Sequence, residues 1–227
     1  MATVPIPVRR RRAARGAGEQ LRAEIIAAAK DLLARTGNTE DVSIRAVADL
    51  VRVTSPSIYL HFADKDELIS AAVADVFAEL DQAMLERAGT VEAPMDRILA
   101  FGMAYVAFAL DHPEQYRVAT MSPHAKTKSV DAVMASSAFT HFHTAVLQCV
   151  QAGIFAGADP LQITYGLWAC AHGIASLVIA KPNLPWGDIE ELTMRTLCSA
   201  GMGQALIDRV GELPPDADWL AKMRPST

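Results

Sequence analysis

Residues 43–69 read SIRAVADLVRVTSPSIYLHFADKDELI, and the reading of this stretch decides the fold. Ser43 is a side-chain acceptor placed to cap a first helix. Ile44, Val47, Ala48 and Val51 then share one face at helical spacing. Val51-Arg52-Val53 makes a turn, and Thr54 stands where it caps a second helix. Pro56 falls in the first turn of that helix, where a missing N–H costs nothing. Ile58 and Phe62, four apart, form an inward stripe and leave Ser55, Ser57, Tyr59 and His61 on other faces. A short helix with a buried stripe and an outer face of small polar and aromatic residues suits a DNA major groove.

The run Ala48…Val53-Thr54-Ser55-Pro56-Ser57-Ile58-Tyr59-Leu60-His61-Phe62…Lys65…Leu68 resembles the DNA-binding domain of the tetracycline-repressor (TetR) family. That signature is Ala-x-x-x-x-Val-Ser/Thr, four variable positions, Tyr-x-His-Phe, then a Lys and a Leu. One departure stands out. Arg52 occupies a turn position where the family usually has Gly, and positive φ there costs a non-Gly residue about 1 kcal/mol. Further on, Trp168…His172-Gly173, with Asp111-His112-Pro113-Glu114-Gln115-Tyr116-Arg117 upstream, is similar to a TetR subgroup with a Trp-His-Gly C-terminal domain.

The chain has 227 residues, 51% of them hydrophobic and only 6% aromatic, a balance that suits helices packed through Ala, Leu and Val. Its net charge of −5 taken alone argues against a nucleic-acid partner. Division of the chain reverses that inference. Residues 1–62 hold 10 Lys and Arg against 6 Asp and Glu, a net of +4, whereas the remainder holds 11 against 20, a net of −9. The basic part is the part with the helix-turn-helix, as phosphate attraction requires.

Three widely spaced cysteines, Cys149, Cys170 and Cys198, make no CxxC or His/Cys cluster, so a cytoplasmic location is expected. Residues 132–158 and 160–180 lack Asp, Glu, Lys and Arg and are long enough to span a bilayer. They also carry His141, His143, Gln148, Gln151, Gln162 and His172, which are costly in hydrocarbon. Burial against the domain and a partner subunit is therefore the expected role, without a membrane.

No segment alternates with period two, so an all-α fold is expected: a three-helix N-terminal DNA-binding domain and a larger helical domain for ligand binding and dimerisation. The expected organisation is a basic arm over 1–17, the helix-turn-helix domain over 18–64, a connecting helix and linker over 65–90, the second domain over 91–211 and a tail over 212–227. Helices are expected over Glu19–Arg35, from Asp64 to about Leu85, over 94–110, Pro113–Met121, Ser129–Ala156 (ended by Gly157), Pro160–Ala180 and Trp186–Val210. Asp64 and Glu67 resemble a capping box.

On the DNA side the resemblance implies contacts from Ser43, Arg45, Thr54, Ser55, Pro56, Ser57, Tyr59, His61 and Lys65. The guanidinium fork of Arg45 fits the guanine edge, with a solvated surface Arg as its equal alternative, small hydroxyls bond base or phosphate, and the Pro56 ring fits a thymine methyl. Tyr59 and His61 are the family's phosphate-facing pair, with packing on the first helix as the alternative for Tyr59. Lys65 opposes the dipole of the helix it starts, so a docked phosphate accounts for it better than local stability does. Arg9–Arg12 can enter an adjacent minor groove or simply remain solvated.

On the ligand side the resemblance implies a small apolar or aromatic effector. The candidate lining is Phe101, Tyr105, Phe108, Met121, His141, Phe142, Ala145, Trp168 and His172, each of which has plain core packing as its alternative. His141 and His143 lie on different helix faces, so one metal ion is not expected between them. No catalytic constellation or cofactor loop is present, so neither an enzyme nor a cofactor is expected. A homodimer is expected through the last two long helices, where Gly166, Ala169, Gly173 and Ala175 on one and Thr193, Thr196, Ser199 and Gly201 on the other permit close approach, and it implies a palindromic operator. A regulator without a small ligand, and a ligand-binding or membrane-associated protein with an incidental motif, remain as alternatives.

Overall fold

The computed structural model describes residues 17–121, 136–156 and 159–210. The Arg9–Arg12 arm, the start expected for the Ser129–Ala156 helix, its expected stop at Gly157 and the 212–227 tail lie outside those residues. Every regular element among the described residues is a helix: α1 Ala17–Thr36, α2 Ile44–Val51, α3 Ser55–Ile58, α4 Lys65–Ala88, α5 Pro94–Asp111, α6 Pro113–Met121, α7 Ser137–Gln151, α8 Pro160–Ala180 and α9 Ile189–Val210.

The helices fall into two compact units. The first runs to Glu79 and includes α6; the second starts at Leu80, breaks after Asp111 and resumes with α7. Helix α4 thus gives its beginning to one unit and its end to the other. In the first unit α1 packs on both α2 and α6, and α2 on α3. Val118 of α6 joins the core of Ile25, Ala29, Val47, Ile58, Phe62 and Leu68, so α6 packs with the first unit. In the second unit α5 packs on α7, α8 and α9, and α8 in turn packs on α7 and α9. These contacts bury one side of α8, including Ile163, Leu167, Ala171, Ala175 and Val178, in a helix whose length and composition alone would let it cross a membrane.

The stops are local chemistry. Gly37 at φ 64° ends α1, and Gly89 at φ 46° ends α4. Helix α7 stops at Gln151, before the expected Ala156. The Gly153 amide donates to the Val150 carbonyl at 3.0 Å and the Ile154 amide to that of Cys149 at 2.9 Å, with Gly153 at φ 70°. This is a Schellman closure, which glycine adopts without strain. Helix α9 starts at Ile189 rather than Trp186, because Asp188 is the capping residue: its carboxylate accepts from the Glu191 amide at 3.0 Å.

Candidate nucleic-acid interface and effector domain

The helix-turn-helix is built from caps and one strained residue. Ser43 Oγ accepts from the Ala46 amide at 3.1 Å and starts α2. At the other end Arg52 is left-handed, φ 60° and ψ 42°. Its amide donates to the Asp49 carbonyl at 3.3 Å, and that of Val53 to Ala48 at 2.9 Å, again a Schellman closure. Arg52 is the one non-glycine residue at positive φ among those described. Thr54 precedes α3 but makes no side-chain cap bond. Its hydroxyl lies 2.9 Å from that of Ser57, so the capping role expected of it is not the one it plays.

Helix α3 is a single turn, held from beneath by Ile58 at 0% and Phe62 at 1% exposure. Each of these burials is worth roughly 1.5–3 kcal/mol. The Arg22 guanidinium sits 5.0 Å above the Phe62 ring. With the inner stripe committed, Arg45 and Pro56 are exposed, Ser55, Ser57 and His61 half-buried, and Tyr59 is 53% exposed rather than packed away. Leu60, which the sequence reading passes over, is 84% exposed in the turn after α3.

At the start of α4 the Asp64 carboxylate accepts from the Glu67 amide at 2.7 Å, and the Glu67 carboxylate accepts from that of Ala63 at 2.6 Å. This reciprocal pairing resembles the expected capping box. Lys65 Nζ donates to the Glu40 carbonyl at 3.2 Å, a local partner that the sequence does not disclose. Further along α4, the largely buried ammonium of Lys30 meets Asp75 at 2.7 Å and also Glu79. Burial works against its charge, but the hydrogen bonds and charges of the two carboxylates outweigh that and raise its pKa.

The second unit holds most of the residues expected to line an effector site, and they divide. Tyr105 Oη lies 3.2 Å from His172 Nδ1, and the His172 ring is tilted against Trp168 at 5.6 Å between centroids. Burial lowers the His172 pKa and so favours the neutral ring. His141 turns to Asp81, with Nδ1 2.7 Å from the buried carboxylate. Phe101, Phe108 and Ala145 are buried. Phe142 lines a cavity of about 200 Å³ together with Ile98, Leu99, Leu167 and Leu197. The side chain of Met121 lies outside the described residues. The sequence reading missed the rest of that cavity wall; its one clue was Gly102, a glycine in mid-helix, where an added Cβ would come within 2.6 Å of Leu197 Cδ1.

His143 Nδ1 lies 2.8 Å from Thr164 Oγ1 while His141 faces Asp81, and no group of three His, Cys, Asp or Glu residues suited to a metal occurs among the described residues. Burial pushes the Cys149 thiol up to about 11.

The small residues of the last two helices divide as well. Gly166, Ala169 and Ser199 are exposed, with open space around Gly166 and Gly173. Ala175 and Thr193 are instead buried, and Gly201 is covered by Met95, whose sulfur would lie 3.1 Å from an added Cβ. Those three serve the unit's own packing. Leu177 and Met202, at 54% and 69% exposure, lie uncovered on α8 and α9.

Residues 25–72 match the model of the tetR family of bacterial regulatory proteins, and residues 98–200 match that of the tetracyclin repressor-like C-terminal domain. The HTH-type transcriptional regulator YobS of Bacillus subtilis, itself uncharacterized, is 25% identical over 158 residues, covering 68% of this chain and 76% of its own length. A solved structure from Rhodococcus sp. RHA1, of unknown function, superposes with a TM-score of 0.67 at 27% identity, over 82% of this chain and 95% of that one. RolR in complex with resorcinol shares the fold at a TM-score of 0.62 and 17% identity, over 88% and 97% of the two chains. The two family models span both the helix-turn-helix and the helical second domain; the chain belongs to the TetR family of DNA-binding transcriptional regulators.

Proposed function

We propose that the protein is a homodimeric cytoplasmic repressor that leaves a palindromic operator when a small, largely apolar effector enters its second domain. The observation that carries the DNA part of this reading is the division of α3 and its turn. Ile58 and Phe62 are committed to the core, whereas Tyr59 stays more than half exposed beside Ser55, Pro56, Ser57 and His61. In this reading Arg45, Ser55, Pro56 and Ser57 meet base edges, and Ser43, Thr54, Tyr59, His61 and Lys65 meet phosphate. Lys65 then serves two partners, the Glu40 carbonyl and a phosphate at the α4 N-terminus.

Dimerisation is supported by the uncovered Leu177 and Met202 and by the open space at Gly166 and Gly173. Two recognition helices set roughly 34–36 Å apart then require two half-sites about one DNA turn apart. The effector part is supported by the apolar interior of the second unit and by the resorcinol bound to RolR. Ligand and DNA are coupled by about 1–3 kcal/mol in regulators of this kind of mechanism.

The test is selection of bound duplexes from random sequence, followed by gel shifts on the selected DNA and sedimentation of the free protein. Palindromic sites, a dimer and release by a small apolar compound are expected. Non-palindromic sites bound by a monomer would overturn the dimeric operator, and operator binding that no such compound releases would overturn the effector role.

A further inference from the structure

The cavity in the second unit has a size and a lining that restrict what it takes. Ile98 and Leu99 of α5, Phe142 of α7, Leu167 of α8 and Leu197 of α9 make hydrocarbon walls around about 200 Å³, and Cys198 of α9 also lines the cavity. Gly102 of α5 lets the Leu197 side chain come within 2.6 Å of where a Cβ would stand, so Leu197 covers the backbone on that side of the wall. Exposed Asp96 marks the mouth and is the lining's single charged group.

Two magnitudes decide the class of occupant. Sites for drug-sized ligands enclose about 300–1,000 Å³, more than this cavity offers. A cavity of about 150 Å³ lined by Leu, Ile and Phe holds one benzene and otherwise stays dry. Water gains little here either. Among the described side chains the one buried polar atom without a partner is Gln115 Oε1, which is not in this wall.

We propose that this cavity is a binding site for one neutral aromatic ring bearing at most small alkyl groups. The proposal deepens the effector reading above and rests on it for its regulatory consequence. A carboxylate-bearing ring is excluded, since its charge would be desolvated against hydrocarbon with Asp96 repelling it at the entrance.

Toluene is the probe, with the full chain and with benzoate as comparator. Toluene is expected to raise the melting temperature by about 2–4 °C, and benzoate at the same concentration to leave it unchanged. Cys198→Phe, which fills the cavity from α9, is expected to abolish the toluene shift. Should that variant lose its helical circular dichroism, the wild type answers alone. Alkylation of the wall residue Cys198, followed by peptide mass spectrometry, is expected to slow about fivefold in toluene while alkylation of Cys170, which is not in the wall, proceeds unchanged. Absence of both the shift and the protection overturns the site, and the effector reading then stands or falls on release of DNA by other compounds. Binding and protection without release of operator DNA support the site and overturn its role as the effector pocket.

Discussion

The Val53 amide donates to the Ala48 carbonyl at 2.9 Å across Arg52, which is held left-handed at φ 60°. The family's usual glycine would occupy this position without strain, whereas a Cβ makes it costly. Arg52→Gly is therefore expected to stabilise the protein by about 0.5–1 kcal/mol, net of the greater freedom of glycine in the unfolded chain. Urea denaturation measures this, and a loss of stability would show that the Arg52 side chain holds the turn through its own contacts.

Lys65 bonds to the Glu40 carbonyl from a half-buried position. Lys65→Ala is expected to lower affinity for every duplex alike and to reduce the salt slope by about one. The lost carbonyl contact costs less than about 1.5 kcal/mol of fold stability. Affinity measured across a salt series separates the two effects. An unchanged slope would falsify the phosphate contact and leave only the structural one.

Lys30 is largely buried, while its partners Asp75 and Glu79 are about half exposed at 47% and 49%. Lys30→Met keeps most of the packing and leaves two carboxylates that water can still reach, so its expected cost is about 1–2 kcal/mol, below that of breaking a fully buried pair. The pH dependence has a definite sign. The folded pKa lies above the ordinary 10.5, so this contribution is complete below that value and is lost as pH rises through the raised one. Denaturation midpoints followed upward from about pH 10 should fall more steeply in the wild type than in the variant.

His172 has the opposite arrangement, a folded pKa held below the ordinary 6.5 by burial. Between the folded and unfolded values the unfolded chain binds more protons, so stability declines as pH falls from about 6.5 downward. His172→Gln removes that titration and should flatten the midpoint curve between pH 5 and 7. A wild-type curve no steeper than the variant's would refute the half-buried neutral imidazole. Charging the ring also disturbs the contacts with Tyr105 and Trp168, so near-ultraviolet circular dichroism should change over the same window.

The DNA-binding half was readable because its signals are local. Ile58 and Phe62 four apart, Ser43 before an apolar face and Asp64 three before Glu67 are short-range patterns with one physical solution each. Even there, chain order did not disclose that Thr54 turns its hydroxyl to Ser57 or that Lys65 reaches the Glu40 carbonyl, 25 residues away. The effector side was less readable. Aromatic residues at helical spacing look alike whether they line a cavity or fill a core, which is why Phe142 and the trio of Tyr105, Trp168 and His172 end in separate surroundings.

By itself, then, the sequence determined the all-helical class, the family, the helix-turn-helix and most helix ends, because caps, glycine stops and the 3.6-residue period act within a few residues of chain. Tertiary structure alone decided that α6 joins the first unit through Val118, that Ala175, Thr193 and Gly201 face inward, and that Gly102 and Leu197 meet at the cavity wall. Those outcomes depend on which helix faces meet across long separations in the chain, and close packing among competing apolar faces sets that, not any local preference.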